Sequence, residues 1–143
     1  MYNPKSMVAE EFIDHEEILE TLAYADAHKT DAELISKIIE KAKKQNIEAA
    51  KRILIKGDAE VSLEAAKVFA SSDVLLLGNE SQTIGPQNAP MAVHLVLLSA
   101  NVILLEGIRL SEVPEGVYFL NAAPLNLSGA DGSPCRAVLI AFK

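Results

Sequence analysis

The length, composition and charge of the chain restrict the classes of protein that it can represent. It has 143 residues, 50% of them hydrophobic, a formal net charge of -7 and one cysteine. This length predicts one domain, or one domain with an appendage. The acidic charge disfavours nucleic acid and anionic membranes as partners, and a single cysteine excludes an internal disulfide framework.

No segment has the pattern of a secretion signal or of a membrane span. Residues 1–6 lack the apolar core of a signal peptide, and no apolar run reaches the roughly 18–20 residues that cross a bilayer. We therefore expect a soluble, cytoplasmic chain without a membrane or nucleic-acid partner.

Residues 14–45 have the pattern of two short helices joined by a turn. Asp14 is a candidate cap for the first helix, and residues 30–33 (TDAE) form a capping box for the second. Apolar residues recur at helical spacing in both helices: Ile18, Leu22, Ala25, Leu34, Ile35, Ile38, Ile39 and Ala42. We predict an N-terminal helical hairpin domain over residues 1–46, which must pack on another surface because short helices are unstable alone.

The pattern changes to alternating strands and helices in residues 47–143, the second predicted domain. Strands are predicted over residues 52–56, 74–77 and 102–105, separated by helices over residues 63–70 and 90–99. The strands are apolar on both faces, which is typical of a parallel sheet covered on both sides. Two final strands, over residues 117–122 and 135–142, flank a glycine-rich turn and are predicted to pair antiparallel. The fold class is therefore α/β.

One apolar stretch, residues 90–107, contains both an imidazole and a carboxylate. His94 lies on a predicted helix, where it is either a core histidine that donates to a backbone carbonyl or a functional group. Glu106 follows a buried strand, where it is either a solvated strand end or a carboxylate in the crevice in which α/β proteins place ligands. Residues 78–81 (GNES) follow another apolar strand and are a further candidate lining of that crevice.

Together, His94 and Glu106 can supply two ligands of a divalent metal, or a base and a ligand. A hydrolytic metal site usually has three or more protein ligands. The other histidines, His15 and His28, lie on the charged helical hairpin, where a solvated role is favoured over ligation. The chain contains no phosphate-binding loop, dinucleotide fingerprint, H-E-x-x-H motif or nucleophile elbow.

From about residue 51 to its end, the chain resembles the C-terminal half of the metal-dependent cyclase family that includes bacterial kynurenine formamidase. The matching segments keep their order and spacing: RILIK (52–56), LGNESQ (77–82), AVHLVLL (92–98), VILLEG (102–107), LSEVPEG (110–116) and PLNLSGADGSPCRAVL (124–139). The resemblance implies a partial swivelling β/β/α fold, a zinc or manganese site, and hydrolysis of small amides such as aryl formamides.

The same resemblance implies roles for the two candidate site residues. It makes Glu106 a metal ligand, and it places His94 at the metal centre as a ligand or as a proton-transfer group. The other ligands of the family come from an N-terminal motif of the type H-x-G-T-H-x-D-x-x-x-H, which this chain lacks. The metal site is therefore expected to be incomplete in this chain.

Residues 1–45 resemble the N-terminal helices of the tyrosine-cleaving radical SAM enzyme that matures iron-only hydrogenases. The iron–sulfur cluster of that enzyme needs three closely spaced cysteines, which residues 1–45 lack, so none of its chemistry is expected here. We hypothesise a fusion of two fragments with a junction near residues 45–47.

Two functions from different classes follow from these patterns. The first is a cyclase-related amide hydrolase with a small-molecule amide substrate and an incomplete divalent-metal site. The second is a non-catalytic assembly module, either a homo-oligomer or the partner of a complementing chain, because half of a sheet leaves edges and apolar faces uncovered.

Overall fold

The structure of the protein is a computed structural model that describes residues 32–45, 47–57, 59–114 and 116–141. The elements, in chain order, are α1 (Ala32–Gln45), a 3-10 turn (Ala49–Lys51), β1 (Arg52–Ile55), α2 (Leu63–Ser71), β2 (Leu76–Asn79), α3 (Met91–Ser99), β3 (Ile103–Leu105), β4 (Phe119–Pro124) and β5 (Cys135–Ile140). The second helix of the predicted hairpin is confirmed as α1. The first helix, and the greater part of the segment compared with a radical SAM enzyme, lie outside the described residues.

A three-stranded parallel sheet of order β1-β2-β3 confirms the predicted α/β class. Arg52 pairs with Leu76 at the start of the first ladder, and Leu76 pairs with Ile103 at the start of the second. Each strand thus pairs with the next strand along the chain. The intervening helices α2 and α3 provide the connections that parallel pairing requires.

The second strand ends two residues later than its sequence predicts. Gly78 looks like a strand terminator, yet it lies inside β2, and the strand continues to Asn79. A side chain at position 78 does not fit, because a Cβ there would lie 2.6 Å from Leu54 Cδ2 and 3.0 Å from the Leu105 carbonyl oxygen. Gly78 therefore allows close packing at the centre of the sheet rather than a turn.

The two faces of the sheet are covered by different layers. Ile53 and Ile55 of β1 and Leu77 of β2 lie in the cluster that contains the buried residues of the three helices. On the opposite face, Leu54 and Leu105 pack in a cluster with residues of the 108–118 segment and of β4 and β5. Alternate residues along a strand point to opposite faces, so the order of layers is helices, parallel sheet and antiparallel ribbon.

Helix α1 packs into the main core through two residues of its predicted stripe. Ile35 and Ile39, one helical turn apart, are each 1% exposed and belong to the same cluster as the buried residues of α2 and α3. The division into domains at residues 46 and 47 stays a prediction. Within the described residues, no helix is long and apolar enough to cross a membrane.

Strands β4 and β5 form the predicted antiparallel ribbon, with Phe119 opposite Ile140 and Pro124 opposite Cys135. Most of the ribbon is exposed, and its buried contribution to the core comes from Leu120. Several large apolar side chains are uncovered on the ribbon and on its connecting loop: Leu125, Leu127, Val138 and Ile140. A two-stranded ribbon gains little stability alone in water, so this one depends on its contact with the sheet.

Candidate functional site

The carboxyl ends of β1, β2 and β3 lie at one edge of the sheet, because the three strands are parallel. The segments that follow the strands are joined by hydrogen bonds there. The Val61 amide donates to the Ile84 carbonyl at 3.0 Å, and the Gly107 amide donates to the Ser81 carbonyl at 2.8 Å. Open parallel sheets bind their ligands at this edge.

His94 and Glu106 meet at this edge of the sheet. His94 lies near the start of α3, and Glu106 directly follows β3. The Nε2 atom of His94 is 2.9 Å from the Oε1 atom of Glu106, and the side chains are 24% and 30% exposed. The pair is partly sheltered yet accessible to an ion or a small molecule. The structure thus brings together the two residues that the sequence singled out, while their roles remain predictions.

The second ring nitrogen of His94 also faces an oxygen acceptor. Its Nδ1 atom lies 3.0 Å from the carbonyl oxygen of Pro90, which is the contact expected of a core histidine. A neutral imidazole carries only one N–H and can donate to only one of the two oxygens. A metal ion bound between Nε2 and Glu106 would leave the single N–H at Nδ1, where it can donate to the Pro90 carbonyl.

The carboxylate of Glu106 is held in place by a backbone amide. Its Oε1 atom, which faces His94, also accepts a hydrogen bond of 2.8 Å from the Ile84 amide. The other oxygen, Oε2, has no hydrogen-bond partner among the described residues. Loop residue Ile84 therefore fixes one oxygen and leaves the second available to a ligand.

The pair fits two ligands of a divalent metal but does not complete a site. Imidazole nitrogen and carboxylate oxygen are ligands that zinc and manganese accept. The Nε2 and Oε1 atoms are 2.9 Å apart, the length of a direct hydrogen bond, so the imidazole and the carboxylate are close enough to be offered to one ion. In the part of the chain that the structure describes, no three His, Cys, Asp or Glu side chains are placed to hold one ion. His15 and His28 lie outside that part.

Glu80, directly after β2, accepts hydrogen bonds from the segments that follow β1 and β3. Its Oε2 atom accepts a hydrogen bond of 2.7 Å from the Gly57 amide, and its Oε1 atom accepts one of 2.7 Å from the Leu110 amide. Partial burial alone would raise the pKa of Glu80. The two amide hydrogen bonds and the charges of Lys56 and Arg109 outweigh that effect, and the pKa lies below its ordinary value.

Asn79, the last residue of β2, is fully buried at the same edge. Its Nδ2 atom donates to the carbonyl oxygens of Ala59 at 3.3 Å and Thr83 at 3.2 Å. The sequence predicts residues 78–81 near the crevice but gives no signal that Asn79 is buried. The nearest signal is its position shortly after the apolar run 74–77, as Glu106 follows the apolar run 102–105.

Comparison with models of known protein families finds no match to this chain. Among individual proteins, the kynurenine formamidase of Sphingopyxis alaskensis is 34% identical over 106 residues, which are 65% of this chain and 51% of that protein. Cyclase-like protein 3 of Oryza sativa subsp. japonica is 38% identical over 71 residues, covering 49% of this chain and 26% of the relative. The chain thus spans about half the length of the first relative and a quarter of the second.

A solved structure described as a potential metal-dependent hydrolase with cyclase activity has a similar fold. It superimposes with a TM-score of 0.53 at 40% sequence identity, over 56% of this chain and 40% of the other. The comparisons give no support to the resemblance between residues 1–45 and a radical SAM enzyme. Over the matched residues, the chain is similar in sequence and in fold to kynurenine formamidases and to cyclase-like, metal-dependent hydrolases.

Proposed function

We propose that this chain contributes His94 and Glu106 to the divalent-metal centre of a hydrolase that acts on small amides, such as aryl formamides. The observation that carries the proposal is the 2.9 Å approach of His94 Nε2 to Glu106 Oε1 while Nδ1 faces a second oxygen. Because a neutral imidazole can donate to only one of the two oxygens, a metal ion between Nε2 and Glu106 would allow Nδ1–H to donate to Pro90. The similarity to kynurenine formamidases and metal-dependent hydrolases supports the reaction class.

Each proposed ligand is oriented by a backbone group. In the tautomer with hydrogen on Nδ1, His94 would donate to the Pro90 carbonyl 3.0 Å away, and the Nε2 lone pair would be directed at the site. The Ile84 amide donates to Glu106 Oε1. Because the carboxylate is planar, this hydrogen bond also fixes the orientation of Oε2. A zinc or manganese ion bound here would supply Lewis acidity toward an amide carbonyl and would acidify water.

The remaining ligands of the proposed centre come from outside the described residues. Catalytic zinc sites use three protein ligands, and the described residues bring together two. A second chain, or the two remaining histidines, would have to supply the rest. We therefore expect the isolated chain to bind a metal ion more weakly than a complete site and to show little turnover.

Metal binding is the first test of this proposal. Calorimetric titration of the purified chain with Mn²⁺ and Zn²⁺ should show one site, and His94→Ala and Glu106→Gln should each weaken it by more than about tenfold. The control is Glu112→Gln, which removes an exposed carboxylate from a nearby loop and should leave the affinity unchanged. Equal affinity in all four proteins, or no binding by the parent chain, would overturn the proposal.

A formamidase assay distinguishes the two roles proposed for His94. With an N-formyl arylamine as substrate and metal added, a ligand role predicts that His94→Ala loses affinity and turnover together. A proton-transfer role predicts that affinity is kept while turnover is lost. Robust turnover by the chain alone, abolished in both site variants, would show that the centre is complete after all.

A second function, that of an assembly module without catalysis, is favoured by the apolar surface. Large side chains are uncovered on the ribbon and on the outer side of α3, where Met91 is 70% exposed and Leu95 and Leu98 are more than half exposed. Such surfaces are typical of association sites. Sedimentation equilibrium tests this function directly, and a folded monomer at high concentration without metal would contradict it.

A further inference from the structure

We propose that Asn79 is a positioning residue, whose buried amide fixes the loop over residues 80–86 so that the Ile84 amide holds the Glu106 carboxylate against His94. The consequence for metal binding rests on the function proposed above. The structural part, a link from Asn79 to Glu106 through the loop, does not depend on a metal and is tested without one.

Asn79 forms hydrogen bonds with three separate segments of the chain. Its side chain donates to the Ala59 carbonyl, in the segment after β1, and to the Thr83 carbonyl, in the loop after β2. Its own carbonyl accepts a hydrogen bond of 3.2 Å from the Ile108 amide, in the segment after β3. One residue therefore contacts the segments that follow all three strands.

The loop that Asn79 holds is hydrogen-bonded to Glu106 through the backbone of Ile84. Thr83, which accepts from Asn79, directly precedes Ile84. The Ile84 side chain is fully buried, its carbonyl accepts from the Val61 amide, and its own amide donates to Glu106 Oε1 at 2.8 Å. Because the loop is fixed on both sides of this amide, a shift of Thr83 would move the donor that orients Glu106.

The burial of Asn79 also makes an unfavourable contribution to stability. Its Oδ1 atom and the Oγ1 atom of Thr83 are buried and have no hydrogen-bond partner among the residues that the structure describes. Burial of an unpaired polar atom is unfavourable, and this cost offsets part of what the two donated hydrogen bonds contribute to stability. Asn79 is therefore better explained by where its two donated hydrogen bonds place the loop than by stabilisation of the core.

Amide exchange in the metal-free chain provides the test. Measured by NMR and expressed relative to global unfolding, the protection of the Ile84 amide should fall about tenfold in Asn79→Ala. Asn79→Leu, which fills the space without donating, should give the same loss. The control Val74→Ala, which trims a buried side chain before β2, should leave the relative protection of Ile84 unchanged. Equal effects in all three variants would overturn the proposal.

Wild-type protein also tests the link, even if the Asn79 variants do not fold. The side-chain amide protons of Asn79 and the backbone amide of Ile84 should exchange through one opening, with matching dependence on denaturant. Exchange of Ile84 by an independent, more frequent opening would overturn the link.

Metal titration separates this inference from the proposed function. If the parent chain binds Mn²⁺, Asn79→Leu should weaken binding about 10–100-fold, as expected for groups that orient ligands, whereas Val74→Ala should not. If the parent chain binds no metal, the proposed function fails while the exchange results still decide the role of Asn79. Loss of Ile84 protection without weaker metal binding would overturn the proposed effect of Asn79 on the metal site.

Discussion

Glu80 is a single side chain that connects three segments of the sheet edge. It follows β2, and its two oxygens accept hydrogen bonds from Gly57, after β1, and from Leu110, after β3. Each bond joins a carboxylate to a backbone amide, and such charge-assisted bonds are stronger than neutral ones. The ionised form of Glu80 therefore stabilises the folded state.

This stabilisation should depend on pH in a defined direction. The pKa of Glu80 is lowered in the folded state from an ordinary value of 4.5. The contribution is therefore complete above that value and is lost as the pH falls through the folded pKa. Glu80→Gln should lower stability at pH 7 by about 1–2 kcal/mol after allowance for solvent screening, and the difference should shrink in acid.

Urea unfolding of both proteins measures this dependence between about pH 3 and pH 7. This range includes the ordinary pKa values of carboxyl groups. The matched control is Glu64→Gln, which removes an exposed carboxylate paired with Lys67 on α2 and should cost less than about 1 kcal/mol. A constant difference between wild type and Glu80→Gln across the range would contradict the pKa direction.

At the scale of elements, the loop after β2 and helix α3 are packed against each other at a glycine. A Cβ at Gly85 would lie 3.0 Å from Val93 Cβ and 3.2 Å from Pro90 Cα. Pro90 supplies the carbonyl that faces His94, and Ile84 supplies the amide that holds Glu106. Close packing at Gly85 therefore sets the distance between the Ile84 amide, which contacts Glu106, and the Pro90 carbonyl, which contacts His94.

Gly85→Ala should push the loop and α3 apart and destabilise the protein by about 1–3 kcal/mol. It should also weaken metal binding, because the supports of His94 and Glu106 move relative to each other. Gly132→Ala is the matched control, since a Cβ at Gly132 meets nothing within 4 Å. Thermal unfolding and metal titration of the two variants measure both effects. Equal behaviour would show that the loop accommodates the added methyl group.

Periodicity predicts the elements well but not their mutual contacts. The apolar runs predict the three parallel strands, and the glycine-rich turn predicts the antiparallel ribbon, because both are local signals. The end of β2 is predicted wrongly at Gly78, since a glycine that permits close packing looks the same in sequence as one that ends a strand. Sequence spacing also cannot predict which turn of α3 faces β3, and that orientation decides the distance between His94 and Glu106.

The resemblance to cyclase-like hydrolases predicts that His94 and Glu106 lie in one site. It does not predict which residues hold them in place. Ile84 lies in a polar loop without periodicity, and its amide donates to Glu106 regardless of its side chain. Asn79 is one polar residue after an apolar strand, and such a residue is as compatible with a solvated strand end as with burial. Contacts made by backbone groups and by isolated polar residues leave no pattern in a single sequence.

At the scale of the whole molecule, α1 and the α/β part share one core. Ile39→Ala should therefore lower the stability of the entire described unit by about 2–5 kcal/mol, rather than release α1 alone. Urea unfolding followed at α1 and at the sheet should give coincident transitions in wild type and variant. The control Ile47→Ala removes a side chain that is 65% exposed and should have little effect. Separate transitions would instead support two domains divided near residue 46.

The order of the strands has a consequence for how the chain folds during synthesis. Each parallel strand pairs with the strand that precedes it in the chain, so the sheet can grow in the direction in which the ribosome releases residues. Glu106 emerges directly after the last of these strands, when His94 and the loop after β2 are already available. Pairing of β3 with β2 is therefore the step that brings Glu106 to His94, and this step needs no residue of the ribbon of β4 and β5.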